Sequence, residues 1–145
     1  IQGLNDRDST MVIDYTFTID DYAKEVNGKL YLNPHIYRQY DNELIDVERR
    51  KNSPLKVSHK DIVSTEFIIE VPKDYTLVSL PKDKEFSNDN ASFLLKYKKE
   101  GNKIIVNQVT TTNTLIVNPN EFEDWNAFIK TISKAYNQAL VFTKK

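Results

Sequence analysis

The sequence predicts a mainly β fold: a two-layer antiparallel β-sandwich of roughly seven to nine strands with one C-terminal amphipathic helix packed on it. Apolar side chains alternate with polar ones in several runs before residue 118, and proline or Asn-Gly pairs separate these runs. After residue 118, the apolar side chains recur at spacings of three and four instead. Alternation is typical of a half-buried strand, whereas the longer spacing gathers side chains on one face of a helix.

The composition of the chain indicates a single globular domain. The chain has 145 residues, of which 39% are hydrophobic and 28% are charged, and this size is typical of one domain. We interpret residues 1–10 as a flexible lead-in and residues 11–145 as one domain. The absence of cysteine excludes a cysteine nucleophile, a thiolate metal site and a disulfide framework. The net charge of -1 and the lack of a long apolar run favour neither nucleic-acid binding nor membrane insertion.

The first predicted strand covers residues 11–19, and residues 22–26 continue it. Its alternating apolar side chains are Met11, Ile13, Tyr15, Phe17 and Ile19. Asn27-Gly28 then supplies the residues that tolerate the positive φ of a type I′ hairpin turn. The return strand covers residues 29–32, and Pro34 ends it because proline has no amide to donate.

The middle of the chain predicts a long connection followed by regular strands. Residues 35–58 carry only short apolar pieces, which we interpret as short edge strands joined by a long loop. Strands are predicted at residues 62–71, with Val63, Thr65, Phe67, Ile69 and Val71 on one face, and at residues 75–80, 93–97, 103–112 and 115–117. Residues 82–90 are polar and predict a surface loop, whereas residues 100–102 predict a tight hairpin turn.

The C-terminal part predicts a helix over about residues 119–138. Asn118 suits the N-cap, Pro119 the first helical position, and Glu121 the position from which a carboxylate reaches back to the cap amide. The apolar stripe consists of Phe122, Trp125, Phe128, Ile129, Ile132, Ala135, Tyr136 and Ala139. This stripe has to pack on a sheet face, and Trp125 is therefore interpreted as core. Residues 140–142 then predict a short last strand.

The sequence offers no arrangement of residues typical of an active site. His35 and His59 lie in polar connecting sequence, and we interpret both as surface histidines rather than metal ligands. Neither a phosphate-binding loop nor a nucleophile with its base is recognisable, so no catalytic, metal or cofactor site is predicted. The acidic pieces at residues 20–21 and 41–46 are interpreted as solvated loops, with calcium binding as the alternative. Arg49 and Arg50 are interpreted as a solvated strand end.

Tyrosines supply the one candidate binding surface. Tyr15 and Tyr97 fit inward positions of strands. Tyr31, Tyr37 and Tyr40 lie near the irregular segment together with Arg38, which predicts an exposed aromatic and basic patch. The alternative is that these rings are part of the core.

Several motifs carry a resemblance to a known family. They are Leu30-Tyr31-Leu32-Asn33-Pro34, Val71-Pro72-Lys73-Asp74-Tyr75 with Leu80-Pro81, and Phe122-Glu123-Asp124-Trp125 through Ala135-Tyr136-Asn137-Gln138 into Leu140-Val141-Phe142. In this order, over about residues 11–145, the chain resembles the uncharacterised C-terminal β-rich domain that follows the transglutaminase-like core in bacterial envelope proteins.

The resemblance implies a secreted or periplasmic multidomain parent whose core uses Cys, His and Asp. No residue of such a core maps onto this chain, which has no cysteine. The expected function is therefore a non-catalytic accessory domain that supports or positions the adjacent transglutaminase-like domain, or that mediates a protein interaction. The alternative is a carbohydrate or peptidoglycan-binding module that uses Tyr31, Tyr37 and Tyr40.

Overall fold

The computed structural model describes Gln2, Asp8 and residues 11–145. The mainly β prediction is confirmed, because within these residues antiparallel sheets account for most of the regular structure and one long helix follows them. The elements in chain order are β1 (Lys24–Val26), β2 (Lys29–Leu32), α1 (Val47–Arg50), β3 (Leu55–Lys56), β4 (Asp61–Glu70), β5 (Tyr75–Ser79), β6 (Lys84–Ser87), β7 (Ala91–Glu100), β8 (Lys103–Thr112), β9 (Ile116–Val117), α2 (Phe122–Tyr136) and β10 (Leu140–Lys144).

The strands form two four-stranded sheets and one two-stranded ribbon, all of them antiparallel. The larger sheet has the order β4-β8-β7-β6, the smaller sheet has the order β1-β2-β10-β5, and the ribbon consists of β3 and β9. The described residues therefore contain ten strands, slightly more than the seven to nine predicted. Strands β3 and β9 lie where a short edge strand and the strand at residues 115–117 were predicted, whereas β6 was not predicted as a strand.

The hairpin between β1 and β2 forms as predicted. Asn27 and Gly28 have φ values of 51° and 72°, which a type I′ turn requires at both central positions. Val26 pairs directly with Lys29 across this turn. The positive φ of Gly28 is the conformation that other residues adopt only with strain.

Strand β6 corrects the prediction of a surface loop at residues 82–90. Lys84–Ser87 pairs with β7, so that Phe86 lies opposite Phe93, and the ring of Phe86 contacts that of Phe128 at a centroid distance of 5.8 Å. An edge strand pairs through its backbone, so one apolar side chain is enough to place it.

Helix α2 begins and ends close to the predicted residues. A short 3₁₀ turn at Pro119–Glu121 precedes it, and the Glu121 carboxylate accepts hydrogen bonds from the Asn118 amide at 2.8 Å and from Asn118 Nδ2 at 2.9 Å. The carboxylate also accepts from Asn90 Nδ2 at 2.8 Å, and these bonds lower the pKa of Glu121, with that from Asn90 the largest cause. The predicted cap is thus confirmed and is tied to the turn before β7.

The core lies where α2 packs on β6 and β7. The buried side chains of α2 are Phe122, Trp125, Phe128, Ile129, Ile132, Ala135 and Tyr136. They join the inward side chains of β7 and β8, of which Phe93, Leu95, Ile104 and Val106 are fully buried. Leu140 and Phe142 of β10 extend the same core toward the smaller sheet. The inward position of Tyr97 and the core position of Trp125 are confirmed.

Residues 11–19 do not form the predicted strand. Their backbone is irregular apart from one bridge between Gln2 and Val12, and Tyr15 is 77% exposed instead of buried. An alternating segment becomes a strand only when another strand satisfies its backbone groups, and within the described residues none does so here. The predicted lead-in, residues 1–10, lies outside the described residues except for Gln2 and Asp8.

The basic pair Arg49 and Arg50 also lies elsewhere than predicted. Both residues belong to the single turn of α1 rather than to a strand end. The Asp46 carboxylate caps this turn, accepting a hydrogen bond from the Arg49 amide at 3.0 Å. A capping aspartate satisfies an amide that the helix leaves free. The cap therefore accounts for the helical turn at α1, which the pattern of apolar residues did not predict.

Candidate functional site

His35 is buried, which corrects its interpretation as a surface histidine. The loop after β2 carries it into the core, where it is 1% exposed. Its Nε2 lies 2.9 Å from the Tyr97 hydroxyl, and its ring lies 5.2 Å from that of Tyr136, centroid to centroid. Gln108 Nε2 donates to the Tyr136 hydroxyl at 2.9 Å. We call His35, Tyr97, Gln108 and Tyr136 the His35 cluster.

Burial controls the protonation of the His35 cluster. It lowers the pKa of His35 to about 4, helped by the positive charge of Arg38 and opposed by the polar side chain of Gln108, which favours the protonated ring. Burial also raises the pKa of Tyr97 and raises that of Tyr136 to about 12. The imidazole and both phenols are therefore neutral at pH 7. One neutral hydrogen bond joins the loop to β7 and another joins β8 to α2, and the contact of the His35 and Tyr136 rings connects the two pairs.

His59 lies on the surface, as predicted, and it takes part in a chain of contacts with Ser58 and Asp61. Its Nδ1 lies 2.8 Å from Ser58 Oγ, and its Nε2 lies 3.3 Å from the Asp61 carboxylate. Asp61 is held in turn by Thr112 Oγ1 and by Gln39 Nε2, the latter at 3.1 Å. Ser, His and Asp are the residue types of a hydrolytic triad.

The surroundings of this chain of contacts differ from those of a catalytic triad. The His59 side chain is 66% exposed, and Ser58 is exposed as well, so water competes for the hydrogen bond that would activate the hydroxyl. A working triad excludes water and has donors aimed at the developing oxyanion. We interpret Ser58, His59 and Asp61 as a surface network that fixes the approach to β4.

The residues of the predicted tyrosine patch are placed separately. Tyr31 lies in β2 and is 37% exposed, and Tyr37 lies in the following loop and is 51% exposed. Tyr40 is half-buried, and its ring contacts those of Trp125 and Phe128 at 6.0 Å and 5.8 Å. Arg38 pairs with Asp41 at 3.4 Å. No ring contact joins the three tyrosines to each other within the described part of the chain, so their joint action as a ligand surface stays a prediction.

A cavity of about 770 Å³ lies beside Trp125. Buried Ile45 and Trp125 and half-buried Tyr40 line its floor, whereas the basic residues Arg49, Arg50 and Lys56 line its mouth. We call it the Trp125 cavity. The Asn126 side chain fixes this wall, because its amide accepts from the Ile45 N–H at 2.7 Å and donates to the Ile45 carbonyl at 2.9 Å. Its size falls within the range of about 300–1,000 Å³ that is typical of ligand sites.

Sequence reasoning missed the Trp125 cavity because its walls come from distant parts of the chain. Trp125 belongs to α2, and the remaining lining residues fall between residues 40 and 58. The one signal in the sequence was the unusually long connection between β2 and β4, since long ordered loops are often functional.

The acidic residues at 41–46 are used in the structure by contacts within the chain. The Asp41 carboxylate pairs with Arg38, and the Asp46 carboxylate caps α1. In the part of the chain that the structure describes, no group of three His, Cys, Asp or Glu side chains is placed to hold a metal ion. The calcium alternative for this segment therefore has no ligand set among these residues.

Comparison with known proteins identifies the family of the chain. The model of a domain of unknown function with a solved structure, DUF3858, matches residues 28–142, and the chain belongs to this family. None of the curated proteins matches the chain. Among the helices of the described residues, none is long and apolar enough to cross a membrane.

One solved structure has a similar fold. It is the crystal structure of a protein called a "putative protease" from Parabacteroides distasonis, with a TM-score of 0.56 and 15% sequence identity. The similarity covers 64% of this chain and 18% of that protein. At this identity the likeness concerns the fold, and the chain spans less than a fifth of the length of the similar protein.

Proposed function

We propose that this member of the DUF3858 family is a non-catalytic accessory domain of a larger secreted or periplasmic bacterial protein, in which it supports or positions an adjacent transglutaminase-like or protease-like domain. The observation that carries the proposal is where the two histidines, the candidate general bases of the chain, are placed. His35 is buried and neutral against Tyr97, and His59 lies in solvent beside Ser58. With no cysteine in the chain, no shielded nucleophile and base meet within the described residues.

The comparisons support the proposal in outline. The matched family has no assigned function, and the similar solved protein is several times longer than the region that this fold covers. A domain of this size packs on its neighbours in a longer chain through interdomain interfaces, by which it can orient a catalytic domain. The transglutaminase-like class of the neighbour is proposed from the family resemblance, which is an association.

The first test removes the domain from its context. The longer reading frame that contains this chain is expressed with and without residues 28–142, and the soluble yield, thermal midpoint and hydrolytic or acyl-transfer activity of the remainder are compared. We expect the deletion to lower the thermal midpoint or to reduce turnover of large substrates. A remainder with unchanged stability and activity would overturn the accessory role.

The second test addresses catalysis by the chain itself. The isolated chain and its Ser58→Ala variant are assayed on peptide and activated-ester substrates, with His59→Gln as a second variant and Tyr37→Ala as a surface control. We expect equal background rates for all four proteins. Turnover that disappears with Ser58→Ala and His59→Gln but not with Tyr37→Ala would make Ser58 a nucleophile and would contradict the proposal.

Glycan binding is the second candidate function, favoured by the exposure of the Tyr31 and Tyr37 rings. Exposed aromatic rings stack on the apolar faces of sugars. Retention of the chain on peptidoglycan, lost with Tyr37→Ala and kept with Tyr22→Phe, would support this function over a purely structural role.

A further inference from the structure

We propose that residues 11–21 of a second copy of this chain dock as an added strand in the Trp125 cavity, so that two copies exchange this segment. The proposal joins an apolar segment, whose one backbone pairing among the described residues is the bridge from Val12 to Gln2, to a cavity that borders a strand edge. Such self-association holds whether or not the chain has a catalytic neighbour.

Residues 11–21 have the alternating side chains of a strand but are not part of a sheet among the described residues. Every residue from 11 to 20 is exposed, including Met11, Ile13 and Phe17, each more than half exposed. The rings of Tyr15 and Phe17 stack with their centroids 5.8 Å apart, so both side chains lie on the same side of the segment. Apolar side chains at this density on a surface are typical of an interaction site.

The cavity borders a strand edge that can accept this segment. Within the described residues β3 pairs only with β9, and the Val57 amide donates to the Leu115 carbonyl at 2.9 Å. Because backbone groups alternate in direction along a strand, the amide and carbonyl of Lys56 point away from β9. Leu55, Lys56 and Val57 all line the cavity and no residue of β9 does. The cavity therefore lies on the β3 side of the ribbon, next to an edge that can offer main-chain pairing to an added strand.

Charge complementarity selects residues 11–21 as the occupant. Asp14, Asp20 and Asp21 give the segment three carboxylates and no basic residue. Arg49, Arg50 and Lys56 line the mouth of the cavity, and none of these six charged groups forms an ion pair within the described part of the chain.

The cavity lining also contains two acidic residues, Glu43 and Asp46. With Arg49, Arg50 and Lys56, it therefore has three basic and two acidic side chains, which leaves a net charge of +1 toward the three carboxylates of the segment. The buried floor of Ile45 and Trp125 then matches the apolar side of the segment.

The test uses two variants of the full chain that should complement each other. Phe17→Asp places a charge on the apolar side of the segment, and Arg49→Glu reverses a charge at the cavity mouth. Lys130→Glu, on the exposed side of α2, is the control of matched charge. The oligomeric state is measured by sedimentation velocity over a concentration series, and the emission of Trp125 is followed in parallel, since it is the one tryptophan of the chain.

We expect the unchanged chain and Lys130→Glu to dimerise with rising concentration and to shift the Trp125 emission over the same range. Phe17→Asp and Arg49→Glu should each weaken dimerisation by about tenfold or more, because each opposes one half of the contact. A mixture of these two variants should dimerise better than either alone, since it retains one intact segment and one intact cavity. Added salt should weaken the dimer.

Other outcomes overturn the proposal. A chain that stays monomeric throughout has no such contact, and a dimer that survives both variants uses another surface. A Trp125 emission that depends on Phe17 but not on concentration would mean that the segment docks on its own chain. A mixture that stays monomeric would show that the two variants do not act on the two halves of one contact.

Discussion

Strand β7 and residues 11–19 both place an apolar side chain at every second position, but they differ in what lies beside them. β7 lies between β6 and β8 with α2 across its inner face, and Phe93 and Leu95 are fully buried. In residues 11–19 the corresponding side chains, such as Phe17 and Ile19, are about half exposed. The difference teaches that period two specifies which side chains share a face, whereas burial depends on a partner contributed by another part of the chain or by another molecule.

The largest expected effect comes from a substitution in β7, the buried one of the two regions. Phe93→Ala should lower the free energy of unfolding by about 3–5 kcal/mol, because it leaves a cavity between β7 and the Tyr136 ring that packs on it. Phe17→Ala, the matched change in the exposed segment, should cost less than about 0.5 kcal/mol. Urea unfolding at a protein concentration that keeps the chain monomeric measures both. Equal losses would mean that residues 11–19 are packed in the monomer.

The next effect concerns the buried histidine, His35, which packs against β7. The pKa of His35 is lowered from 6.5 to about 4 in the folded chain, so the unfolded chain takes up a proton at a higher pH than the folded chain. The neutral, buried His35 therefore stabilises the folded chain fully above about pH 6.5. This contribution to the free energy of unfolding, about 2–3 kcal/mol, is lost as the pH falls toward 4.

Unfolding by urea at several pH values checks this prediction. His35→Gln keeps a hydrogen-bonding side chain near Tyr97 but removes the titration, so its stability should fall less steeply between pH 6.5 and 4. Parallel curves for the unchanged chain and His35→Gln would count against a buried, neutral His35.

The smallest expected effect concerns Glu121, which stabilises the start of α2 through hydrogen bonds rather than through burial. Glu121→Ala should cost about 1 kcal/mol, because the Asn118 amide and the Asn90 side chain lose their acceptor. Glu123→Ala, an exposed change in the first turn of α2, should lower the free energy of unfolding by only about 0.3 kcal/mol. Thermal melting of both variants distinguishes the cap from a general effect of charge near the helix start.

Much of the fold was predictable because the signals lie close together in the sequence. The cap of α2 occupies Asn118 to Glu121, and the turn of the first hairpin occupies Asn27 and Gly28. Each is formed by residues within a few positions of one another, so local chemistry decides it. The long strands β4, β7 and β8 were predicted for the same reason, since neighbouring residues alternate or are β-branched within each, although β7 extends at both ends beyond the predicted residues 93–97.

The features that could not be predicted depend on contacts between distant residues. His35 is buried because Phe67, Tyr97 and Tyr136 surround it, and nothing next to it in the sequence indicates this. β6 forms because β7 offers it an edge, although Lys84–Ser87 is mainly polar. The Trp125 cavity likewise depends on how the 40–58 connection crosses α2.

The place of β10 in the smaller sheet constrains when that sheet can be assembled. β10 is the last strand of the chain, yet it lies between β2 and β5 and pairs with both. During synthesis both neighbours leave the ribosome before it, and their facing edges stay open until residues 140–144 emerge. The smaller sheet therefore closes only after translation has passed α2, and until then β2 and β5 expose unpaired edges that chaperones or other nascent chains can bind.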